Sequence, residues 1–131
     1  MKGARDLVAV AVTQHPNYRP LKYAQADYLQ TLGQHSEAVV NLAELIKTYP
    51  RDARLFDLQA KSYAAMGKRL LQHQALAESY LLQGALTPAI EQLQLAQKSG
   101  DGDFYQLSSV EARLRQLRVL QLEEKKKAGG R

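Results

Sequence analysis

The sequence predicts an all-α protein: a solenoid of antiparallel helix pairs, about seven helices in all, over residues 1–125. Three observations predict it. Ala, Leu and Gln dominate, while Val and Ile are scarce and cluster near residues 8–12 and 39–46, a balance that favours helix. Gly33 and Gly67 stand 34 residues apart, and each closes a helical pattern. The residues flanking them recur at matching offsets, which is the mark of a repeat.

Taken in chain order, the helices are expected near residues 3–14, 20–32, 36–48, 53–66, 70–83, 87–98 and 104–125. Ala26 and Leu29 precede Gly33 as Ala60 and Tyr63 precede Gly67, and Phe56 supplies a first aromatic. Small residues such as Ala26, Ala38 and Ala60 suit positions where two helices cross closely. Glycine after a helix permits the left-handed backbone that ends it. Pro50 cannot continue a helix and turns the chain toward the next pair. Ala4, Val8, Ala11 and Pro16 repeat the spacing of Ala38, Leu42, Leu45 and Pro50, again 34 residues apart. The chain thus opens on the second helix of a pair and reads as a piece of a longer protein, with Met1 internal or an expression artefact. Leu7, Val8, Val10 and Val12 make a poor cap, so a homodimer through residues 1–14, or fraying there, is expected.

The rhythm slips in the middle. Ala77, Tyr80 and Gly84 reproduce the offsets of Ala60, Tyr63 and Gly67, yet Gly84 follows Gly67 by only 17 residues, half a repeat. Ala89, Leu93 and Ala96 then follow like Ala38, Leu42 and Leu45. Either one helix serves two overlapping repeats, with curvature changing near Lys68–Gln74, or a weak motif has degenerated. Asp103 suits the N-cap of the last helix, whose apolar stripe is Leu107, Val110, Leu114 and Leu117. Glu111 and Arg115 are spaced for a pair, and residues 126–131 are expected to form a disordered basic tail.

These spacings resemble the tetratricopeptide repeat, and that resemblance implies a protein-binding scaffold whose first helices line a concave face. The candidate groove residues are then Tyr23, Asp27 and Gln30 on helix 20–32, with Arg54, Asp57 and Lys61 on helix 53–66. Each set recurs along one face of its helix. A mixed-charge peptide groove and a merely solvated face with an Asp57–Lys61 pair are the two readings of this stripe. It lacks the Lys and Asn pattern that would clamp a terminal carboxylate.

Other chemistry finds little support in the sequence. There is no cysteine. His15, His35 and His73 have no partner at metal-ligand spacing; His15 and His35 suit surface turns, and His73 a packed or half-exposed helix position. No catalytic residue, metal site or cofactor is expected in this stretch. The net charge of +5 sits largely in the last third, in Arg113, Arg115, Arg118 and Lys125–Lys127. Nucleic acid is not an expected partner, because no aromatic platform accompanies that charge and Glu111, Glu123 and Glu124 interrupt it. No apolar run is long enough to span a bilayer.

The second half carries a finer resemblance. Asp57-Leu58-Gln59-Ala60-Lys61-Ser62-Tyr63-Ala64-Ala65-Met66-Gly67-Lys68 leads into Ala75-Leu76-Ala77-Glu78-Ser79-Tyr80. Gly84, Ala89-Ile90-Glu91-Gln92-Leu93, Gly102-Asp103-Phe104-Tyr105 and Glu111-Ala112-Arg113-Leu114 follow. In that order the chain resembles the C-terminal tetratricopeptide region of the beta-barrel assembly-enhancing proteases, a BepA-like family of bacterial periplasmic zinc metallopeptidases. The resemblance covers most of residues 19–122. It implies a periplasmic protein with a signal sequence and a zinc peptidase domain bearing H-E-x-x-H. It also implies partners among outer-membrane β-barrel proteins or their assembly machinery. No position here matches the zinc ligands, so the zinc would belong to the absent peptidase domain. The alternatives are a generic tetratricopeptide scaffold in an unrelated assembly and, less favoured, a basic helical nucleic-acid binder.

Overall fold

Helix ends organise this chain, and the same end is used three times. The computed structural model describes residues 19–129. It contains α1 (Arg19–Thr31), α2 (His35–Thr48), α3 (Ala53–Ala65), α4 (Arg69–Leu82), α5 (Leu86–Gln97) and α6 (Phe104–Gly129), with no strand among the described residues. After α1, α3 and α4 the chain turns on Gly33, Gly67 and Gly84, at φ of 77°, 71° and 76°. The following N–H reaches back across the helix end: Gln34 to the Leu29 carbonyl at 2.8 Å, Lys68 to Tyr63 and Ala85 to Tyr80 at 2.9 Å. This bond satisfies a carbonyl that the helix leaves free and sends the next helix back within two residues.

The other two connections are longer and end on acidic caps. Asp52 accepts the Arg54 N–H at 3.1 Å and starts α3 after Pro50. Asp103 accepts the Gln106 N–H at 2.8 Å while Gln106 accepts the Asp103 N–H at 3.0 Å, a reciprocal capping box that starts α6. Each helix packs on its successor, as in a solenoid. In addition, α1 reaches past α2 to α3, and α4 reaches past α5 to α6. Among the described residues α3 and α5 make no such approach. So α4 both follows a glycine turn and ends in one. It is the second helix of the pair with α3 and the first helix of the pair with α5.

The apolar core is divided at that point. Ala26, Leu42, Leu45 and Leu55 form one buried cluster across α1–α3. Leu70, Ala77, Leu86, Ile90, Leu93, Val110, Leu114 and Leu117 belong to a larger one across α4–α6. Ala60 and Ser62 on α3 and Ala75 on α4 are also buried, and the Ser62 hydroxyl faces Gln30 of α1 and His35 of α2. Full burial of a leucine such as Leu93 or Leu114 contributes roughly 1.5–3 kcal/mol. The larger cluster therefore carries more of the stability.

Several sequence expectations change here. The helix expected at 3–14, and the homodimer through it, lie outside the described residues. Lys126–Gly129 are not an irregular tail but the last turn of α6, where Lys126 and Lys127 oppose the negative end of the helix dipole. Glu111 and Arg115 do not pair. Arg113 instead grips Glu78 of α4 with two bonds of 2.8 and 3.0 Å. His35 is half-buried, its Nδ1 3.2 Å from the buried Ser62 hydroxyl, rather than a free surface residue. His73 does occupy the half-buried helix position expected of it, its Nδ1 2.8 Å from Oε1 of Gln92 on α5.

The first turn of α4 has no side-chain cap of its own, and Asp101 supplies one from the α5–α6 connection. Its carboxylate accepts the N–H of Arg69 at 2.6 Å and of Leu70 at 3.0 Å. Desolvation pushes this carboxyl upward. The N–H groups of Leu70 and Arg69 and the Ser99 hydroxyl favour the ionised form more, so its pKa lies below the ordinary carboxylate value. Asp101→Ala should cost about 1 kcal/mol at neutral pH. A depressed folded-state pKa means the contribution is complete above the unfolded value of about 4 and is lost as pH falls through the folded one. Urea melts of both proteins check this: the stability gap should close on acidification, and a constant gap contradicts the assignment.

Candidate functional site

Asp52 gathers the N-terminal half of the candidate site. It sits between Pro50 and α3, where its Oδ1 caps the helix and its Oδ2 points back toward α1. The Tyr23 hydroxyl donates to Oδ2, and Arg19 Nη1 donates to the same oxygen at 3.4 Å. The Arg19 guanidinium lies 3.8 Å above the Tyr49 ring, and that of Arg54 lies 4.5 Å from the Tyr23 ring centroid. Two stacked cations and one carboxylate thus tie α1, α3 and the turn between α2 and α3 together. Burial first, and then the bond to Asp52, raise the Tyr23 phenol above its ordinary pKa, so it stays a neutral donor.

Between α1 and α3 this leaves a cleft of about 240 Å³, lined by Pro20, Tyr23, Ala24, Asp27, Arg54 and Leu58. Pro20, Ala24 and Leu58 give it apolar lining, and Arg54 and Asp27 bring a cation and a carboxylate, all but Leu58 of these being exposed. The Arg54 side chain has no carboxylate of its own among the described residues, and neither does the Asp27 side chain have a cation. Three residues expected in the groove, Tyr23, Asp27 and Arg54, therefore share one wall-and-rim arrangement. Asp57 and Lys61 are exposed on α3 beyond the cleft lining, and no ion pair joins them.

Gln30 is a correction. It does not face the groove but is 5% exposed, and its Nε2 donates to the Leu58 carbonyl at 2.6 Å and to Ser62 Oγ at 2.8 Å. The helix pattern put it on the same stripe as Tyr23 and Asp27. Toward the Gly33 turn α1 and α3 converge, and a long amide there is swallowed by the neighbouring helix. Asp52, Arg19 and Tyr49 were missed. An Asp shortly after Pro50 and before an apolar run was a readable N-cap signal; the two cation stacks had none.

A second cleft, about 190 Å³, opens between α3 and α4 beside Phe56, Tyr63, Leu71 and Glu78. Among the described residues no three His, Asp or Glu side chains gather as a metal site would require, and no helix is long and apolar enough to cross a membrane. No family model matches the chain. The fold and the cleft together define an all-α solenoid with an open mixed-charge groove between alternate helices.

Asp52→Ala removes a cap and a shared charged acceptor, so it should cost about 2 kcal/mol. Arg54→Ala removes only an exposed stack and should cost under about 0.5 kcal/mol. Thermal melts followed by circular dichroism separate the two. Equal costs would mean that Asp52 is not the hub.

Proposed function

We propose that the chain is a protein-binding scaffold and that the α1–α3 cleft receives a segment of a partner protein. The observation that carries this is the Arg54 guanidinium, 4.5 Å from the Tyr23 ring centroid, without a carboxylate partner among the described residues and lining the same cleft as Asp27. A stacked guanidinium is already ordered, so a carboxylate meeting it costs little further side-chain entropy. The apolar lining of Pro20, Ala24 and Leu58 suits an aliphatic side chain beside the two charges. The chain acts by binding and performs no chemistry of its own.

The 34-residue spacing and the three like turns support the tetratricopeptide class. The order of motifs from Asp57 to Leu114 supports the finer reading: the non-catalytic region of a periplasmic zinc metallopeptidase. On that reading the partners are outer-membrane β-barrel proteins or their assembly machinery, and zinc belongs to the parent's peptidase domain.

The test is Arg54→Glu combined with Lys61→Glu, with a photocrosslinker placed at the exposed Ala24. Purified barrel-assembly machinery and an unfolded β-barrel substrate are offered in turn. The double variant should melt like the wild type yet bind at least about tenfold more weakly, as expected for a hot-spot charge. Undiminished crosslinking by the double variant contradicts the cleft. A wild type that crosslinks to neither protein contradicts the finer reading.

A further inference from the structure

The half-repeat at α4 changes which side of the solenoid carries the paired first helices. Before it, α1 and α3 reach past a neighbour to each other; after it, α4 and α6 do. Because α3 and α4 are consecutive helices, that role passes from one side of the array to the other. The side chains of α3 record the exchange. Arg54, Asp57 and Lys61 share one exposed face of the helix. Phe56, Gln59 and Tyr63 each stand two residues further on, and two residues turn a helix through roughly 200°. They point away from that face, are half-buried, and line the second cleft together with Leu71, Gln74 and Glu78 of α4.

This cleft differs from the first in its chemistry. Among the described residues Glu78 is the one charged residue in its lining, and Arg113 already holds it with bonds of 2.8 and 3.0 Å. Gln74 is committed to Ser109. What remains is the apolar surface of Phe56, Leu71 and the Tyr63 ring, with two polar groups that have no hydrogen-bond partner among the described residues: the Gln59 amide and the Tyr63 hydroxyl. Four residues apart on α3, these two are neighbours. Burial raises the Tyr63 phenol above its ordinary pKa, which keeps it a neutral donor.

Size and charge select the occupant. At about 190 Å³ the cleft is smaller than the roughly 300–1,000 Å³ of small-molecule sites, and it suits a single side chain. A charged side chain would lose its water there and find no counter-ion. A carboxylate would meet Glu78, and an ammonium would have to take Glu78 from Arg113. A peptide main chain, by contrast, offers the C=O and N–H groups that a hydroxyl and a carboxamide pair with.

We propose that the α3–α4 cleft is a second docking site, on the opposite side of α3 from the first, for an uncharged extended segment of a partner protein. One aliphatic or aromatic side chain of that segment enters between Phe56, Tyr63 and Leu71. Gln59 and the Tyr63 hydroxyl pair with the main chain beside it. The site shares no lining residue with the α1–α3 cleft and does not depend on it.

The experiment is fluorescence anisotropy with the full chain and four labelled, end-capped heptapeptides of Thr and Val, identical apart from a central Leu, Phe, Glu or Lys. The Leu and Phe peptides should bind saturably, and the Glu and Lys peptides at least about tenfold more weakly. Tyr63→Phe and Gln59→Ala each remove one hydrogen bond and should weaken the Leu peptide roughly three- to tenfold. Tyr63→Phe gives up only an unpartnered hydroxyl, so circular dichroism should show it melting like the wild type. A wild type that binds neither the Leu nor the Phe peptide overturns the proposal, and so does equal binding of the charged peptides. Binding untouched by both variants removes the main-chain pairing on which the proposal rests. A peptide released by Arg54→Glu rather than by Tyr63→Phe occupies the first cleft, which also overturns it. Sedimentation equilibrium without peptide covers the remaining occupant: self-association that Tyr63→Phe abolishes would put a second copy in the cleft and contradict the proposal.

Discussion

A helix that stops on a glycine with φ near +75° leaves its successor almost no freedom. The N–H three residues beyond the helix is already committed to a carbonyl inside it, and the next helix must begin at once and run back. Gly33, Gly67 and Gly84 impose this three times. The small side chains near them follow from it: helices returned so abruptly lie close, and Ala26, Ala38, Ala60, Ala77 and Ala89 are the residues that let them. Leu42, Leu55 and Leu93 then fill what space the close crossings leave. The turn comes first, and packing is fitted to it.

The half-repeat interval between Gly67 and Gly84 has consequences for mechanics as well as register. Because α4 serves two pairs, it needs partners on more sides than its neighbours do. Its apolar residues already go to the cluster with α5 and α6, so polar bonds complete its outer contacts: Glu78 with Arg113, Gln74 with Ser109, and its first N–H groups with Asp101. Gly102 is drawn in so tightly that a Cβ there would stand 2.2 Å from a Leu70 methyl carbon. Toward α3, α4 packs as extensively as it does toward α5, but that contact lies outside both apolar clusters and opens into a cleft beside Leu71 and Glu78. The apolar core thus changes at α4, although the helices on both sides pack closely on it.

Much of this was legible in the sequence, for a physical reason. Glycine and proline report backbone geometry directly, and alanine among long aliphatics reports close approach, so five helices had readable limits within one residue. The N-cap at Asp103 was equally plain. The site was less legible. Tyr23 and Arg54 could be placed on facing helices, but their stacking depends on the relative rotation of α1 and α3. Gln30 shows the limit most clearly: its polarity argued for solvent, and only the three-dimensional convergence of the helices reveals a buried amide answered by Ser62. The end of α6 was misjudged because a Lys-rich run reads as a tail, although Glu and Lys are good helix formers and need no core to stay helical.

The division of the core at α4 is the claim on which the rest turns, since it makes the half-repeat a mechanical boundary rather than a curiosity of spacing. Native-state hydrogen exchange in rising urea tests it most directly. If the account is right, amides of α1, α2 and α3 merge into one opening unit of lower free energy, while those of α4, α5 and α6 hold until global unfolding. A single shared opening for all six helices, or an α4 that exchanges with α1–α3, would contradict it.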